Sequence, residues 1–133
     1  MPAPAASARA FSVNHPDPLA AGRLEAALRD VRDVGVQEIE AALAERTGDV
    51  MYLADRYGIP IITPREPARR AGIMALSPAA QEVAPLAASL ANHGLTVTVR
   101  SGQIRVAPHV GTGADTMRLF GDALAAFSSA HVW

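Results

Sequence analysis

Residues 94–109 have the sequence GLTVTVRSGQIRVAPH, and their pattern predicts two short strands joined by a tight turn. Apolar and polar side chains alternate from Leu95 to Arg100, which is typical of a half-buried strand. Ser101 and Gly102 form a two-residue hairpin link, and the chain returns through QIRVAP, residues 103–108. An arginine, Arg105, therefore stands near the end of a strand, just before a Pro-His turn.

The elements before this hairpin are predicted from the spacing of apolar residues and from the positions of glycine and proline. One helix begins at Leu19 and a second extends over residues 36–57, with Gly35 between them and a weak point at Thr47 and Gly48. An edge strand is expected at residues 59–62 and another strand at residues 71–76. Ser77 is expected to cap the next helix, with Pro78 at its first position.

The remaining elements complete an α+β pattern. A helix buries Val83, Leu86 and Leu90, and the last helix covers residues 114–127, with Thr112 or Asp115 as its cap. The order predicts an α+β fold in which helices cover a small antiparallel sheet of three or four strands. Residues 1–17 are expected to form an extended N-terminal arm, and residues 18–133 a single domain.

Composition limits the classes of function. A net charge of -1 and a pI near 6.4 give no reason to expect binding to nucleic acid or to an anionic membrane. No apolar run approaches the roughly 20 residues that span a bilayer. The first residues lack the pattern of a signal peptide, so a cytoplasmic location is expected.

Two residue types are absent, and each absence excludes a chemistry. Without cysteine the chain has no disulfide, no thiolate nucleophile and no cysteine-based zinc site. All 12 basic residues are arginine, so no side-chain amine can form a Schiff base with an aldehyde. The four histidines lie far apart, without metal-ligand spacing, and no metal site is expected. They are His15, His93, His109 and His131.

The order of elements and the residues of the hairpin resemble the C-terminal small domain of class V aminotransferases. This is the branch of fold-type I pyridoxal-phosphate proteins that includes the cysteine desulfurases. The resemblance extends over nearly the whole chain from about Arg9. The matching positions are Gly72, Ile73, Gly94, Leu95, Val97, Arg100, Gly102, Ile104, Arg105, Val106, Pro108 and His109.

The resemblance implies a role for Arg105, and the strand and turn around it offer two further candidates. Arg105 takes the place of the arginine that binds the substrate α-carboxylate; the alternative is an outward strand residue paired with a nearby acid. Arg100 is a second substrate-binding candidate, or else a solvated strand end. His109 is a candidate general acid or base, or else a structural turn histidine.

Departures from the family pattern weigh against cofactor chemistry. Gly111, Thr112 and Gly113 replace the family's Tyr-Asn-Thr, and Asn14 and His15 replace a Gly-Thr that helps to hold the cofactor phosphate. The large domain, with the aldimine lysine, has no counterpart. No cofactor is therefore expected, and this chain by itself is not expected to be a pyridoxal-phosphate enzyme.

These observations leave several hypotheses for function. The first is a repurposed or accessory domain, a homodimer or hetero-complex, that binds a small carboxylate-bearing molecule in a specialised biosynthetic pathway. The second is an accessory subunit that completes a separately encoded large-domain protein. A third is a cofactor-independent enzyme that uses Arg105 and His109. An excised fragment, the remaining alternative, predicts poor solubility and no function.

Overall fold

The structure is a computed structural model that describes residues 17–130. The chain divides into two compact units, residues 1–36 and 37–133. In the first unit, helix α1 covers Pro18–Val34. Asp17 is its N-cap: the Asp17 carboxylate accepts hydrogen bonds from the backbone N–H groups of Leu19, at 2.9 Å, and Ala20, at 3.2 Å. The predicted N-terminal arm lies outside the described residues except for this cap.

The second unit combines three helices and three strands. Helix α2, Val36–Arg56, begins at the last residue of the first unit. The next elements are strand β1 (Met74–Leu76) and helix α3 (Val83–Asn92). They are followed by strand β2 (Thr98–Arg100), strand β3 (Gln103–Val106) and helix α4 (Ala114–Ala130). The predicted α+β class is confirmed. None of the helices in residues 17–130 combines the length and apolar character needed to cross a membrane.

The sheet is antiparallel throughout, with strand order β1-β3-β2. On the central strand β3, Ile104 lies opposite Leu76 of β1 and Val99 of β2. Arg105 lies opposite Ala75 and Thr98. Because neighbouring residues of a strand point to opposite faces, Ile104 faces the core and Arg105 faces away from it.

The core fills the space between one face of the sheet and the helices. Ile104, Leu76 and Met74 are fully buried and pack with residues of α2, α3 and α4. The helix residues in this cluster are Val50, Ala54, Val83, Leu86, Leu90, Phe120, Ala123, Leu124 and Phe127. The expected burial of Val83, Leu86 and Leu90 on the third helix is confirmed.

The strands are shorter than the sequence pattern predicts. Residues 95–97 are not part of β2, because the Leu95 N–H still bonds the Leu90 carbonyl at 3.0 Å and closes the end of α3. The expected strand at residues 59–62 is reduced to one bridge between Ile61 and Leu76. Pro60, which lacks an N–H group, limits its pairing with β1.

The start of α3 differs from expectation, and helix α2 is continuous where Thr47 and Gly48 were expected to weaken it. Ser77 does not cap α3, because α3 begins only at Val83, after a 3-10 turn, Ala80–Glu82. The Ser77 N–H bonds the Pro60 carbonyl at 2.8 Å. Helix α2 is continuous through Thr47, whose buried hydroxyl donates to the Leu43 carbonyl at 2.8 Å.

Candidate carboxylate site

The turn between β2 and β3 fixes the register that positions two arginines. Ser101 has φ 53° and Gly102 has φ 72°, so both central residues are left-handed, as a type I′ hairpin turn requires. The predicted two-residue hairpin is confirmed. Its register places Arg100 opposite Gln103, and Arg105 opposite Thr98.

One face of the sheet presents these residues together. We define the arginine face as Ala75, Thr98, Arg100, Gln103 and Arg105, which are cross-strand neighbours on the side of the sheet opposite the core. Arg100 and Arg105 are diagonal neighbours, and such a relation separates two residues by about 7–8 Å. Both side chains are exposed. Ala75, the cross-strand neighbour of Arg105 on β1, has a small side chain.

Neither arginine has a partner in the described part of the chain. Arg100 and Arg105 make no hydrogen bond, ion pair or ring contact with any residue in 17–130. The same is true of Arg23. The other described arginines are engaged: Arg29, Arg32, Arg46, Arg65, Arg69 and Arg118 in ion pairs, Arg70 with a backbone carbonyl and Arg56 over the Tyr57 ring. No acidic side chain in residues 17–130 therefore pairs with Arg105, as the alternative interpretation of this residue requires.

Two polar side chains on the arginine face are also available. The Thr98 hydroxyl and the Gln103 amide make no hydrogen bond with any residue that the structure describes. A hydroxyl and an amide are ordinary partners for the polar groups of a small ligand. The face thus combines two free guanidinium groups with two free neutral polar groups.

His109 lies beyond the end of β3, in a turn of its own. Its backbone N–H donates to the Thr112 hydroxyl at 2.9 Å, and its ring Nδ1 accepts from the Gly111 N–H at 3.1 Å. A nitrogen that accepts this bond bears no proton, so Nε2 is the ring atom that remains for proton transfer. No hydrogen bond joins His109 to Arg105, and its role as acid or base stays a prediction.

Arg46 is the residue of this region that the sequence pattern did not reveal. Its side chain is only 25% exposed, and its Nε donates to the Thr112 carbonyl at 2.9 Å. Nη1 also pairs with Glu45 at 3.0 Å and with Asp49 at 3.5 Å. Arg46 therefore holds the turn after β3 against α2. The two partners are 66 positions apart, and periodicity gives no signal of such a contact.

Thr112 takes part in the same turn and does not act as the predicted helix cap. Its hydroxyl accepts from the His109 N–H, and its N–H donates to the His109 carbonyl at 2.9 Å. These bonds close residues 109–112 into a compact turn before α4. Asp115, the other predicted cap, pairs with Arg118 at 3.7 Å in the first turn of α4.

The described residues form no metal site, and the sequence lacks the residue that would hold a covalent cofactor. Within residues 17–130, no three histidine, aspartate or glutamate side chains come together at a metal-sized site; His15 and His131 lie outside the described residues. The pyridoxal-phosphate cofactor implied by the resemblance does not fit this chain as a covalent group, because the sequence has no lysine.

A solved structure shares this fold. The chain is similar to a cysteine desulfurase from Thermococcus onnurineus NA1 in its apo form, with a TM-score of 0.82 and 18% sequence identity over 92% of this chain. The match covers 34% of the desulfurase chain, so this chain spans about a third of that protein's length. No family model matches the sequence, and no curated protein matches it. The predicted likeness to the fold of class V aminotransferases is confirmed.

Proposed function

We propose that the chain binds a small molecule with a carboxylate group on the arginine face. Arg105 is the principal donor and Arg100 is a second cation. The proposal rests on one observation: two of the three arginines without a partner in residues 17–130 are diagonal neighbours on a single sheet face. The position of Arg105 is also the one at which the family resemblance implies an arginine for the substrate α-carboxylate.

Charge and shape both favour a carboxylate on this face. A guanidinium is planar and donates two parallel hydrogen bonds, which match the two oxygens of a carboxylate. Arg100 and Arg105 are like charges about 7–8 Å apart, and an anion between them lowers their mutual repulsion. The cross-strand neighbours of Arg105, Ala75 and Thr98, have small side chains that leave the guanidinium accessible to a ligand such as an amino acid or an oxo acid.

Calorimetry with a matched pair of ligands tests the proposal. Alanine has a carboxylate, whereas alaninamide has the same skeleton without that charge. We expect alanine to bind more tightly, and we expect Arg105→Ala to weaken alanine binding about tenfold, since hydrogen bonds to charged groups contribute about 1.5 kcal/mol or more. Arg105→Lys keeps the charge without the planar fork. Its affinity for alanine is expected to lie between those of the unmodified chain and of Arg105→Ala.

The matched control is Arg23→Ala, which removes the third arginine without a described partner, from α1. It is expected to bind alanine like the unmodified chain. Equal binding of acid and amide, or equal effects of Arg105→Ala and Arg23→Ala, would contradict the proposal. A chain with this property suits a biosynthetic pathway that handles amino acids or oxo acids.

The chain matches only part of the desulfurase, and this favours a second candidate function. A chain that spans 34% of a cysteine desulfurase is a candidate accessory subunit for a protein that contributes the rest of such a fold. In that case the lysine and the cofactor belong to the partner, and Arg105 positions the amino-acid carboxylate.

Reconstitution distinguishes this second candidate from the first. The chain would be mixed with a separately expressed large-domain protein of the cysteine desulfurase fold. A gain in activity that Arg105→Ala abolishes and Arg23→Ala leaves intact supports the accessory role. Failure to form a complex contradicts it, while the binding of alanine by the chain alone is still decided by calorimetry.

A further inference from the structure

Helix α1, taken by itself, presents an apolar stripe on one side. Leu24, Leu28 and Val31 are 60%, 59% and 43% exposed, and no residue of α1 is buried. Their spacing of four and three residues places them on one side of the helix. We call these three residues the α1 seam. Large apolar side chains in such a row mark a surface that binds another helix.

Charged residues border the seam on one side only. Glu25 follows Leu24 and Arg32 follows Val31, so both lie along the same border, seven positions apart. The opposite border consists of Ala20, Ala27 and Val34, which have no charge. In heptad terms the seam occupies the a and d positions, and the charged border occupies the e positions.

We propose that α1 pairs in antiparallel orientation with α1 of a second copy of this chain, across a two-fold axis between Leu28 and Val31. In antiparallel pairs the e positions of one helix face the e positions of the other. Reversal of the second helix then places Glu25 next to Arg32 of the second copy, and symmetry repeats the contact. Leu28 packs on Val31 of the second copy, and Leu24 lies near its Gly35.

Other arrangements of the same two helices lack this complementarity. In a parallel pair each e position faces a g position, so Glu25 and Arg32 would meet only alanine or valine. An antiparallel register shifted by one heptad places Glu25 next to Glu25 of the second copy, which is repulsive. The charge pattern therefore favours one orientation and one register.

The size of the seam sets the strength of the dimer. A helix of 17 residues is roughly 25 Å long and offers only a few apolar layers, less than a standard stable interface. We expect a dimer that dissociates on dilution through the micromolar range. The inference does not depend on the carboxylate site, because the seam and the arginine face share no residue.

Charge exchange tests the pairing by sedimentation over a range of concentrations. Glu25→Arg and Arg32→Glu each turn both cross-chain pairs into repulsive ones and are expected to weaken the dimer about tenfold. The double variant restores the pairs in exchanged positions and is expected to recover the dimer to within about threefold. Leu28→Gln is expected to weaken it as well, because it places an amide in the seam.

Asp30→Arg and Arg23→Glu are the matched controls. Each makes the same change of charge on α1 but away from the seam and its borders, and neither residue has a described side-chain partner. Both are expected to dimerise like the unmodified chain. Glu25→Arg also removes the ion pair of Glu25 with Arg29, and Arg32→Glu removes that of Arg32 with Asp33. Helix content by circular dichroism therefore separates loss of helix from loss of pairing.

Three outcomes would overturn the inference. The first is an unmodified chain that remains monomeric up to ~1 mM. The second is a dimer that the single variants leave unchanged, which would place the interface elsewhere. The third is a double variant that stays as weak as the single ones, which would show that Glu25 and Arg32 do not meet across the dimer.

Discussion

Arg65 joins the loop after α2 to that helix through a bidentate ion pair. Its Nη1 and Nη2 donate to the two carboxylate oxygens of Asp55 at 2.8 and 2.5 Å. The hydrogen bonds from Arg65 lower the pKa of Asp55 below its ordinary value of 3.8; partial desolvation opposes this effect and the positive charge of Arg65 adds to it. The same pair raises the pKa of Arg65.

The lowered pKa of Asp55 predicts a pH dependence with a definite sign. A carboxyl whose pKa is lower in the folded state contributes stability above its ordinary value of 3.8 and loses that contribution as the pH falls through the lowered pKa. We expect Asp55→Asn to be less stable than the unmodified chain at neutral pH, and the difference to vanish in strong acid. Thermal unfolding of both chains as a function of pH measures it.

Arg65→Gln is the companion variant for this prediction. It removes the guanidinium and leaves Asp55 in place, so the pKa of Asp55 measured by NMR is expected to return toward 3.8. An unchanged pKa in Arg65→Gln would show that another group stabilises the carboxylate.

At the scale of residues, the candidate site was only partly predictable. Arg100 and Arg105 could be placed near strand ends from the alternation in residues 94–109, and the observed register brings them to one face. That neither has an acidic partner in residues 17–130 could not be predicted, because pairing depends on distant residues. The contact between Arg46 and Thr112 illustrates this, since it joins a helix to a turn far along the chain.

At the scale of elements, the β2-β3 hairpin has the greatest influence on the site. Its turn residues have φ 53° and 72°, and an added Cβ at Gly102 would meet no atom within 4 Å. The cost of replacing Gly102 is therefore one of backbone conformation and not of steric conflict. The register that places Arg105 opposite Thr98 depends on this turn.

Substitutions in the turn test that dependence. Gly102→Ala is expected to lower the free energy of unfolding by about 1–2 kcal/mol, because alanine disfavours the left-handed conformation. Ser101→Asn is expected to raise it by about 0.5 kcal/mol, because Asn-Gly is the preferred pair for a type I′ turn. Denaturant unfolding measures both. A Gly102→Ala chain as stable as the original would show that the turn does not require this conformation.

Elements with strong local signals were predicted, and those that depend on tertiary contacts were not. Helices α3 and α4 follow their apolar periodicity, and the hairpin follows its turn residues. The segment at residues 59–62 has strand-forming side chains, yet it forms one bridge, because Pro60 limits its hydrogen bonds to β1. Helix α3 begins at Val83, later than predicted, because a 3-10 turn, Ala80–Glu82, precedes it.

In the second unit, the sheet separates the core from the arginine face. Ile104, Leu76 and Met74 are fully buried on one side, and Arg105 and Arg100 are exposed on the other. The core residues lie on the opposite side of the sheet from the arginine face. Substitutions on the arginine face are therefore expected to change ligand binding with little effect on the free energy of unfolding. The fold is that of a part of a cysteine desulfurase, and the chain has no lysine with which to form an aldimine.

The most direct test of the account is the NMR of the arginine Nε–Hε groups during a titration with alanine. We predict that the Nε–Hε signals of Arg105 and Arg100 shift together with one dissociation constant, that Arg118 remains unchanged, and that alaninamide has no such effect. If the Arg105 signal stays in place, or shifts no more than that of Arg118, the arginine face does not bind a carboxylate.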